Sequence, residues 1–290
     1  MTMMRGVDQG AGTAEMTGRA PTDPATGHRS SGLSLIERVQ NAYGGLEPWR
    51  RLETFSAHIT LSGSALPPPE GRRPPGGSQV TVGSYSFPTI TPSKPTLREL
   101  VVEGKTATPR VRIFGPHDMA IYADYTPERV EFRDMDDNLL HALEDPVAAL
   151  RERDQTTPFN QQERGFIFGA LIWEAIAGPF LLNHPDAKII ETALAGNETS
   201  LDAITVEWPR RLAPLAPKRT FHLSRSGYIA RSEYDLGEIG LGRVVDLVSA
   251  PVSFGDITVS TLRRLRSLDE AGGAISPPLI DLEIFDVQFS

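Results

Sequence analysis

The sequence contains no cysteine among its 290 residues, which excludes disulfides, thiolate metal sites and cysteine nucleophiles. Positive charge is also scarce, because 29 Lys and Arg stand against 37 Asp and Glu and the net charge is −8. Nucleic-acid binding requires clustered Lys and Arg, so nucleic acid is not an expected partner. Four arginine pairs are scattered along the chain, and we expect them on solvated faces or strand edges: Arg50–Arg51, Arg72–Arg73, Arg210–Arg211 and Arg263–Arg264.

The signatures of several enzyme and metal sites are absent as well. There is no G-x-x-x-x-G-K-[ST] phosphate loop, no H-E-x-x-H zinc motif and no G-x-S-x-G nucleophile elbow. The acidic run Asp134–Asn138 has the beginning of a calcium loop, but Leu139 and Asp145 stand where such a loop requires Gly and Glu. We interpret this run as a solvated turn and predict no metal site and no cofactor.

Residues 1–32 lack the continuous apolar run of a secretory signal. They combine Gly, Ala, Thr and Pro with dispersed charges, and such a segment cannot bury enough surface to offset its chain entropy. We predict a disordered tail over 1–32 followed by one domain over 33–290. We expect a cytoplasmic location, or a periplasmic one if the true gene start lies upstream.

After a short helical segment, the sequence of the domain shows the alternation of apolar and polar residues that is typical of β-strands. Ser34 and Glu37 have the spacing of a helix capping box. From Thr54 to Leu61, apolar and polar residues then alternate, which predicts a half-buried strand. The stretch 67–77 is rich in Pro and Gly and predicts an exposed loop. Further strands are predicted over Gln79–Phe87, Leu97–Glu103, Arg110–Phe114, Met119–Tyr125, Arg129–Arg133, Lys188–Leu194, Ala203–Trp208, Arg219–Leu223, Tyr228–Tyr234, Val244–Ser249, Ile257–Leu265 and Leu279–Phe289.

One segment of the chain, Gly165–Leu182, is unusually apolar and carries a single charge, Glu174. A membrane span needs about 20 apolar residues, and both the central Glu174 and the helix-breaking Pro179 oppose insertion. We therefore predict no transmembrane segment, and instead a helix that is apolar on nearly all sides and buried against the sheet. Together these patterns predict a mainly β (α+β) fold.

Three side chains are candidates for acid–base chemistry, although the sequence predicts no established catalytic residue. Glu174 lies between Trp173 and Ala175, and a carboxyl group buried without a partner has a raised pKa. The alternative, which we favour, is a structural role for Glu174, either in an ion pair with an arginine of the sheet or at the exposed edge of the helix. His58 and His222 occupy strand positions on the predicted polar face, where a structural role is more common than general-base catalysis.

The chain resembles the LolA/LppX-like half-barrels of the bacterial lipoprotein-carrier superfamily, in particular an uncharacterised proteobacterial branch, and more distantly VioE of the violacein pathway. Short matches spread over about residues 35–290 carry this resemblance: Ala42-Tyr43-Gly44-Gly45-Leu46 with Trp49 and Leu52, Phe55–Ile59, Trp173 with Pro179–Leu182, Gly227–Arg231 with Tyr234, and Asp286–Ser290. The resemblance implies a strongly curved antiparallel sheet whose concave face is covered or plugged by helices. LolA-type carriers hold acyl chains in that concavity and work in the periplasm, whereas VioE is a cofactor-independent enzyme.

The first hypothesis for function is therefore the binding of a hydrophobic small molecule or acyl chain between the sheet and the helix near 165–178. Its candidate lining residues are Phe55, Ile59, Phe166, Trp173, Phe180 and Trp208. The second is a VioE-like enzyme that uses Glu174, His58 or His222, which requires two of these groups to converge at one pocket. The third is a structural domain that binds a partner protein. The sequence leaves the oligomeric state and the ligand open.

Overall fold

A computed structural model describes residues 34–65, 79–82, 85–88, 98–115, 118–154, 157–193 and 201–290. The expected tail over 1–32 and the expected loop over 67–77 lie outside these residues. Both therefore stay predictions, as does the division into a tail and one domain.

The described residues contain four α-helices. Ser34 caps the first as predicted: its backbone N–H donates to the Glu37 carboxylate at 2.7 Å, and its hydroxyl accepts from the Glu37 N–H at 3.3 Å. The longest helix begins with a second capping box, in which Asn160 and Glu163 exchange hydrogen bonds of 2.9 and 2.7 Å. The helices are α1 (Leu35–Ala42), α2 (Leu46–Arg50), α3 (Pro146–Glu152) and α4 (Gln161–Leu181).

The described part of the chain also forms fifteen strands. Thirteen of them make one antiparallel sheet, and β2 and β3 pair only with each other. The strands are β1 (Thr54–Ser62), β2 (Gln79–Val82), β3 (Tyr85–Pro88), β4 (Arg98–Lys105), β5 (Val111–Gly115), β6 (Asp118–Tyr125), β7 (Arg129–Asp134), β8 (Leu139–Glu144), β9 (Lys188–Ala193), β10 (Asp202–Glu207), β11 (Lys218–Leu223), β12 (Ile229–Asp235), β13 (Arg243–Phe254), β14 (Ile257–Ser267) and β15 (Ile280–Phe289).

The path of the chain explains the shape of the sheet. Strand β1 lies in the middle, between β4 on one side and β15 on the other. From β4 the chain runs outward strand by strand to β8 at one edge, and from β9 at the opposite edge it returns strand by strand to β15. Helices α3 and α4 connect the two edge strands, so they cross the molecule from one edge to the other.

The sheet is an open, curved half-barrel with α4 on its inner side, which confirms the predicted fold class. Helix α4 contacts β5, β6, β7 and β8 on one side of β1, and β14 on the other side. A single helix can reach strands on both sides of the central strand only if the sheet curves around it. We call the face that contacts α4 the inner face and the opposite one the outer face.

The alternation predicted for β1 decides which residues point inward. Phe55, Ala57, Ile59 and Leu61 are all buried, whereas His58 between them is exposed. One local prediction is wrong, because the single strand expected over Gln79–Phe87 is the β2–β3 hairpin, with Val82 paired to Tyr85. Strand β8 and helix α3 were not predicted at all.

Candidate functional site

Helix α4 fills the inner side of the half-barrel. Seventeen of its 21 residues are buried, so the helix has almost no solvent-facing stripe. By length and composition the helix could cross a membrane, but 83% of its most apolar stretch is buried inside the fold. This is the environment of a core helix, as the sequence predicted.

Small residues allow α4 to approach the sheet closely along its first half. A Cβ atom added at Gly169 would collide with the ring of Tyr125 on β6. One added at Gly165 would lie 3.0 Å from Phe132 and 3.2 Å from Val130, both on β7. Gly178 in the second half differs, because no heavy atom lies within 4 Å of an added Cβ. The helix is therefore tightly packed at Gly165 and Gly169, whereas open space remains beside Gly178.

The single charge of the apolar segment, Glu174, forms an ion pair with Arg219 of β11. The side chains of Glu174 and Arg219 are 6% and 3% exposed, so both charged groups are shielded from solvent. Arg219 is the basic residue in direct contact with the Glu174 carboxylate. Arg219 is held in place by its Nε donating to Ala216 O at 3.3 Å and by its guanidinium lying 4.0 Å from the centre of the Tyr234 ring.

A second buried pair lies beside the first on the inner face. Arg263 of β14 donates from Nε to Asp246 of β13 at 2.9 Å, and the side chains are 12% and 4% exposed. The expectation that Arg263 lies on a solvated face is therefore wrong, whereas its neighbour Arg264 is half exposed. Strand alternation explains the difference, because consecutive residues of a strand point to opposite faces.

Hydroxyl groups complete this polar cluster. The Tyr43 hydroxyl lies 2.9 Å from Ser260 Oγ and accepts from the Ile229 N–H at 3.3 Å. The Tyr234 hydroxyl and Ser232 Oγ are buried and have no hydrogen-bond partner within the part of the chain that the structure describes. Unsatisfied buried polar atoms are costly, so this concentration of them on one patch marks it as a candidate site.

Burial dominates the electrostatics of the cluster. It raises the pKa of Glu174 above 4.5, although Arg219 and Arg263 oppose the shift. It also raises the pKa values of Tyr43 and Tyr234 above 10, which keeps both phenols protonated. Burial alone would lower the pKa of Arg263, but the charge and hydrogen bond of Asp246 outweigh it and the pKa is raised.

Two small cavities between α4 and the sheet adjoin the charged residues. The first, the central cavity, has a volume of about 30 Å³ and is bordered by Glu174, Gly178, Trp208, Arg219 and Arg263 among others. The second, of about 20 Å³, lies on the other side of Arg263 and Asp246. Either could hold one or two water molecules, since each water needs roughly 10–15 Å³. Neither is large enough for an acyl chain.

The six predicted lining residues are all buried in the core. Trp208 borders the central cavity and donates from Nε1 to Leu181 O at 3.1 Å. Trp173 donates to Lys105 O at 2.8 Å, and Phe180 stacks on Trp49 with ring centres 4.2 Å apart. The other three are Phe55 and Ile59 on β1 and Phe166 on α4.

Phe55 also borders a wider groove, of about 460 Å³, at the ends of β1, β4 and β15. This groove is open to solvent and includes the polar side chains of Glu103, Lys105, Arg110 and Arg112. Asp124 forms ion pairs with both Arg110 and Arg112, at 2.6 and 3.3 Å. The lining of the groove is largely polar and open to solvent, which does not suit an apolar ligand.

The three candidate acid–base residues do not come together. Glu174 lies on α4 at the inner face, whereas His58 is exposed between inward-pointing neighbours on β1. His222 alternates with the buried Phe221 and Leu223, and so points to the outer face, 3.3 Å from Glu233. Burial and the charge of Arg231 lower the pKa of His222. The convergence that the enzyme hypothesis requires is thus absent for these three residues.

The acidic run Asp134–Asn138 forms the turn between β7 and β8. The Asp134 carboxylate accepts from the backbone N–H groups of Asp136 and Asn138 at 3.0 and 2.8 Å. In the described residues, no group of three or more His, Asp or Glu side chains could hold a metal ion.

The partners of Glu174 were not predicted, although a signal for them exists in the sequence. Arg219 has the same strand phase as Phe221 and Leu223, and Arg263 has the same phase as Leu265. A charged residue in phase with apolar residues of a strand points into the core. Strand phase could have selected these two arginines, but it could not say which of them meets Glu174.

No family model and no curated protein matches this chain. Solved structures do match. The chain is similar to a LolA superfamily protein from Nitrosomonas europaea at 7% identity and a TM-score of 0.45, with 88% of this chain and 92% of that chain covered. It is similar to a DUF1329 family protein from Desulfovibrio piger at 7% identity and a TM-score of 0.44, with 89% of this chain and 94% of that chain covered. The chain is also similar to a domain described as an outer membrane lipoprotein-sorting protein, from Vibrio parahaemolyticus. The identity is 7% and the TM-score is 0.44, with 88% of this chain and 90% of that chain covered.

The predicted resemblance to LolA-type half-barrels is thus confirmed as a likeness of fold. At 7% identity and TM-scores of 0.44 to 0.45, no ligand, activity or residue role is carried over from these proteins.

The predicted cytoplasmic location is wrong. The finding against it is the likeness to a domain described as an outer membrane lipoprotein-sorting protein.

Proposed function

We propose that this chain binds a hydrophobic small molecule or a lipid acyl chain on the inner face of the half-barrel, in the space that α4 occupies. The observation that carries this proposal is the placement of α4. An open sheet with an apolar inner face encloses a helix that is buried over 17 of its 21 residues and is connected to both sheet edges. This arrangement supports the proposal, because displacement of α4 would expose an enclosed apolar surface of the kind that binds apolar ligands.

Binding requires α4 to move. Ligand pockets measure about 300–1,000 Å³, roughly ten times the central cavity or more. Each buried CH₂ group of an acyl chain contributes about 0.8 kcal/mol, which offsets the apolar contacts that α4 gives up.

Movement is easiest beside Gly178, where an added Cβ would meet open space and where Pro179 cannot donate a backbone hydrogen bond. We therefore place the point of ligand entry at the central cavity.

Tryptophan fluorescence offers a direct test, because all three tryptophans of the chain lie on α4 or contact it. We expect 1-decanol to produce a saturable change in emission of the full chain. Gly178→Leu should weaken binding by about tenfold, since the leucine fills the central cavity and stabilises the docked helix. Gly178→Ala is the matched control and should weaken binding by no more than a few-fold, because its methyl group stabilises the docked helix only slightly.

A change that does not saturate, or an equal affinity of the Gly178→Leu variant, would contradict the proposed site. Native mass spectrometry and organic extraction of the purified chain provide a second readout, in which a co-purifying apolar molecule is expected.

A further inference from the structure

The ion pair between Glu174 and Arg219 joins two elements that the proposed function separates. Glu174 belongs to α4 and Arg219 belongs to β11 of the sheet. When α4 leaves the inner face, Glu174 leaves with it. Arg219 then remains on the inner face without its carboxylate.

Two contacts that do not involve α4 hold Arg219 on the inner face. Its Nε donates to Ala216 O at 3.3 Å, and its guanidinium lies 4.0 Å from the Tyr234 ring centre. A charge buried in apolar surroundings without a counter-charge is strongly unfavourable. The ligand that replaces α4 must therefore satisfy this cation.

The other charges of the inner face do not satisfy it. Asp246 accepts from Arg263 Nε at 2.9 Å and is already committed to that arginine. Without Glu174 the cluster contains two arginines and one aspartate, a net charge of +1. The buried hydroxyl of Tyr234 and Ser232 Oγ, which have no partner among the described residues, are available as additional donors.

We propose that the ligand is an amphiphile with a single carboxylate head, such as a fatty acid, whose head takes the place of the Glu174 carboxylate at Arg219. This inference rests on the proposed function. A planar carboxylate fits the guanidinium fork of arginine, and such charge-assisted hydrogen bonds are stronger than neutral ones. The tail lies along the apolar inner face, beside Trp208, Phe221 and Ile229 of the central cavity.

The test compares decanoate with 1-decanol, which have the same chain length and differ in the head, by titrating each into the full chain. We expect decanoate to bind about tenfold more tightly or better, because hydrogen bonds to charged groups are the stronger class. Glu174→Gln should tighten the binding of both probes and keep that preference, since the amide competes less well for Arg219.

Two variants keep the test independent of folding. Glu174→Leu combined with Arg219→Met removes both charges together, and should bind the two probes with equal affinity. Arg264 follows Arg263 on β14 but is half exposed, so it lies outside the buried cluster. The Arg264→Gln variant should therefore retain the full preference for decanoate.

The outcomes separate the two proposals. If neither probe binds, the proposed function fails and this inference fails with it. If both bind equally to the parent chain, the head-group inference is overturned and the proposed function stands. If the variant with both Glu174→Leu and Arg219→Met still prefers decanoate, the head-group inference is also overturned, because Arg219 is then not the residue that recognises the carboxylate.

Discussion

At the scale of single residues, the most unusual feature is a pair of opposite charges in the middle of an apolar interior. Removing one partner of a buried ion pair leaves an uncompensated charge, whereas replacing both with apolar residues is often neutral. The pair of Glu174 and Arg219 therefore fits a role in specificity better than a role in stability.

Chemical denaturation tests this interpretation. Glu174→Leu alone should lower the free energy of unfolding by about 3–5 kcal/mol, because Arg219 stays buried without a partner. Adding Arg219→Met should recover most of that loss. As a control, Glu47→Leu removes an exposed partner of Arg50 and should leave the unfolding midpoint unchanged. A double variant as unstable as the single one would mean that the pair itself stabilises the fold.

At the scale of elements, the fit of α4 against the sheet varies along its length. Gly169 lies against the ring of the fully buried Tyr125, and Gly178 faces open space. The same substitution at these two glycines should therefore have opposite effects.

We expect Gly169→Ala to destabilise the chain by about 1–3 kcal/mol, because the added methyl group overpacks the contact with Tyr125. Gly178→Ala should stabilise it by about 0.5–1 kcal/mol, since alanine reduces the entropy lost when the helix forms. Thermal and urea unfolding of both variants check the prediction. Two shifts of the same sign would show that the close contact at Gly169 does not control the docking of α4.

Elements with a clean periodic pattern were predictable from the sequence. Strand β1 alternates over its whole length, and Ser34 with Glu37 forms the predicted cap. Strand β8 was missed because Leu139 and Leu140 are adjacent and both exposed, so no alternation exists to detect. Strand β13 was predicted to end at Ser249 but continues to Phe254, through a largely exposed stretch that the pairing with β14 holds in place.

The candidate site was only partly predictable, for a similar reason. The apolar character of α4 and the single charge of Glu174 are local features, visible in one stretch of sequence. The partner Arg219 lies 45 positions away on β11, and only the curvature of the sheet brings it to the helix. A long-range pairing of this kind has no signal in a single sequence.

At the scale of the whole molecule, the order of the strands sets a gradient of protection. Strand β1 is paired on both sides, whereas β8 and β9 each have one neighbour in the described sheet. Local opening begins where few hydrogen bonds must break.

Hydrogen–deuterium exchange should therefore be slowest in peptides that contain β1 and fastest in those that contain β8 or β9. Mass spectrometry of peptic fragments gives this ranking directly. If β9 exchanged as slowly as β1, the edge of β9 that does not pair with β10 would have to be covered, for example by a second copy of the chain.

The route of the chain from β8 through α3 and α4 to β9 makes the helix an intramolecular competitor of its own ligand. A helix joined to both edge strands cannot diffuse away when displaced, and its effective concentration at the inner face stays in the millimolar range or above. The affinity measured for a ligand is then the intrinsic affinity multiplied by the fraction of molecules in which α4 is undocked. A sequence change that weakens the docking of α4 by about tenfold should tighten ligand binding by up to the same factor, without altering any residue that touches the ligand.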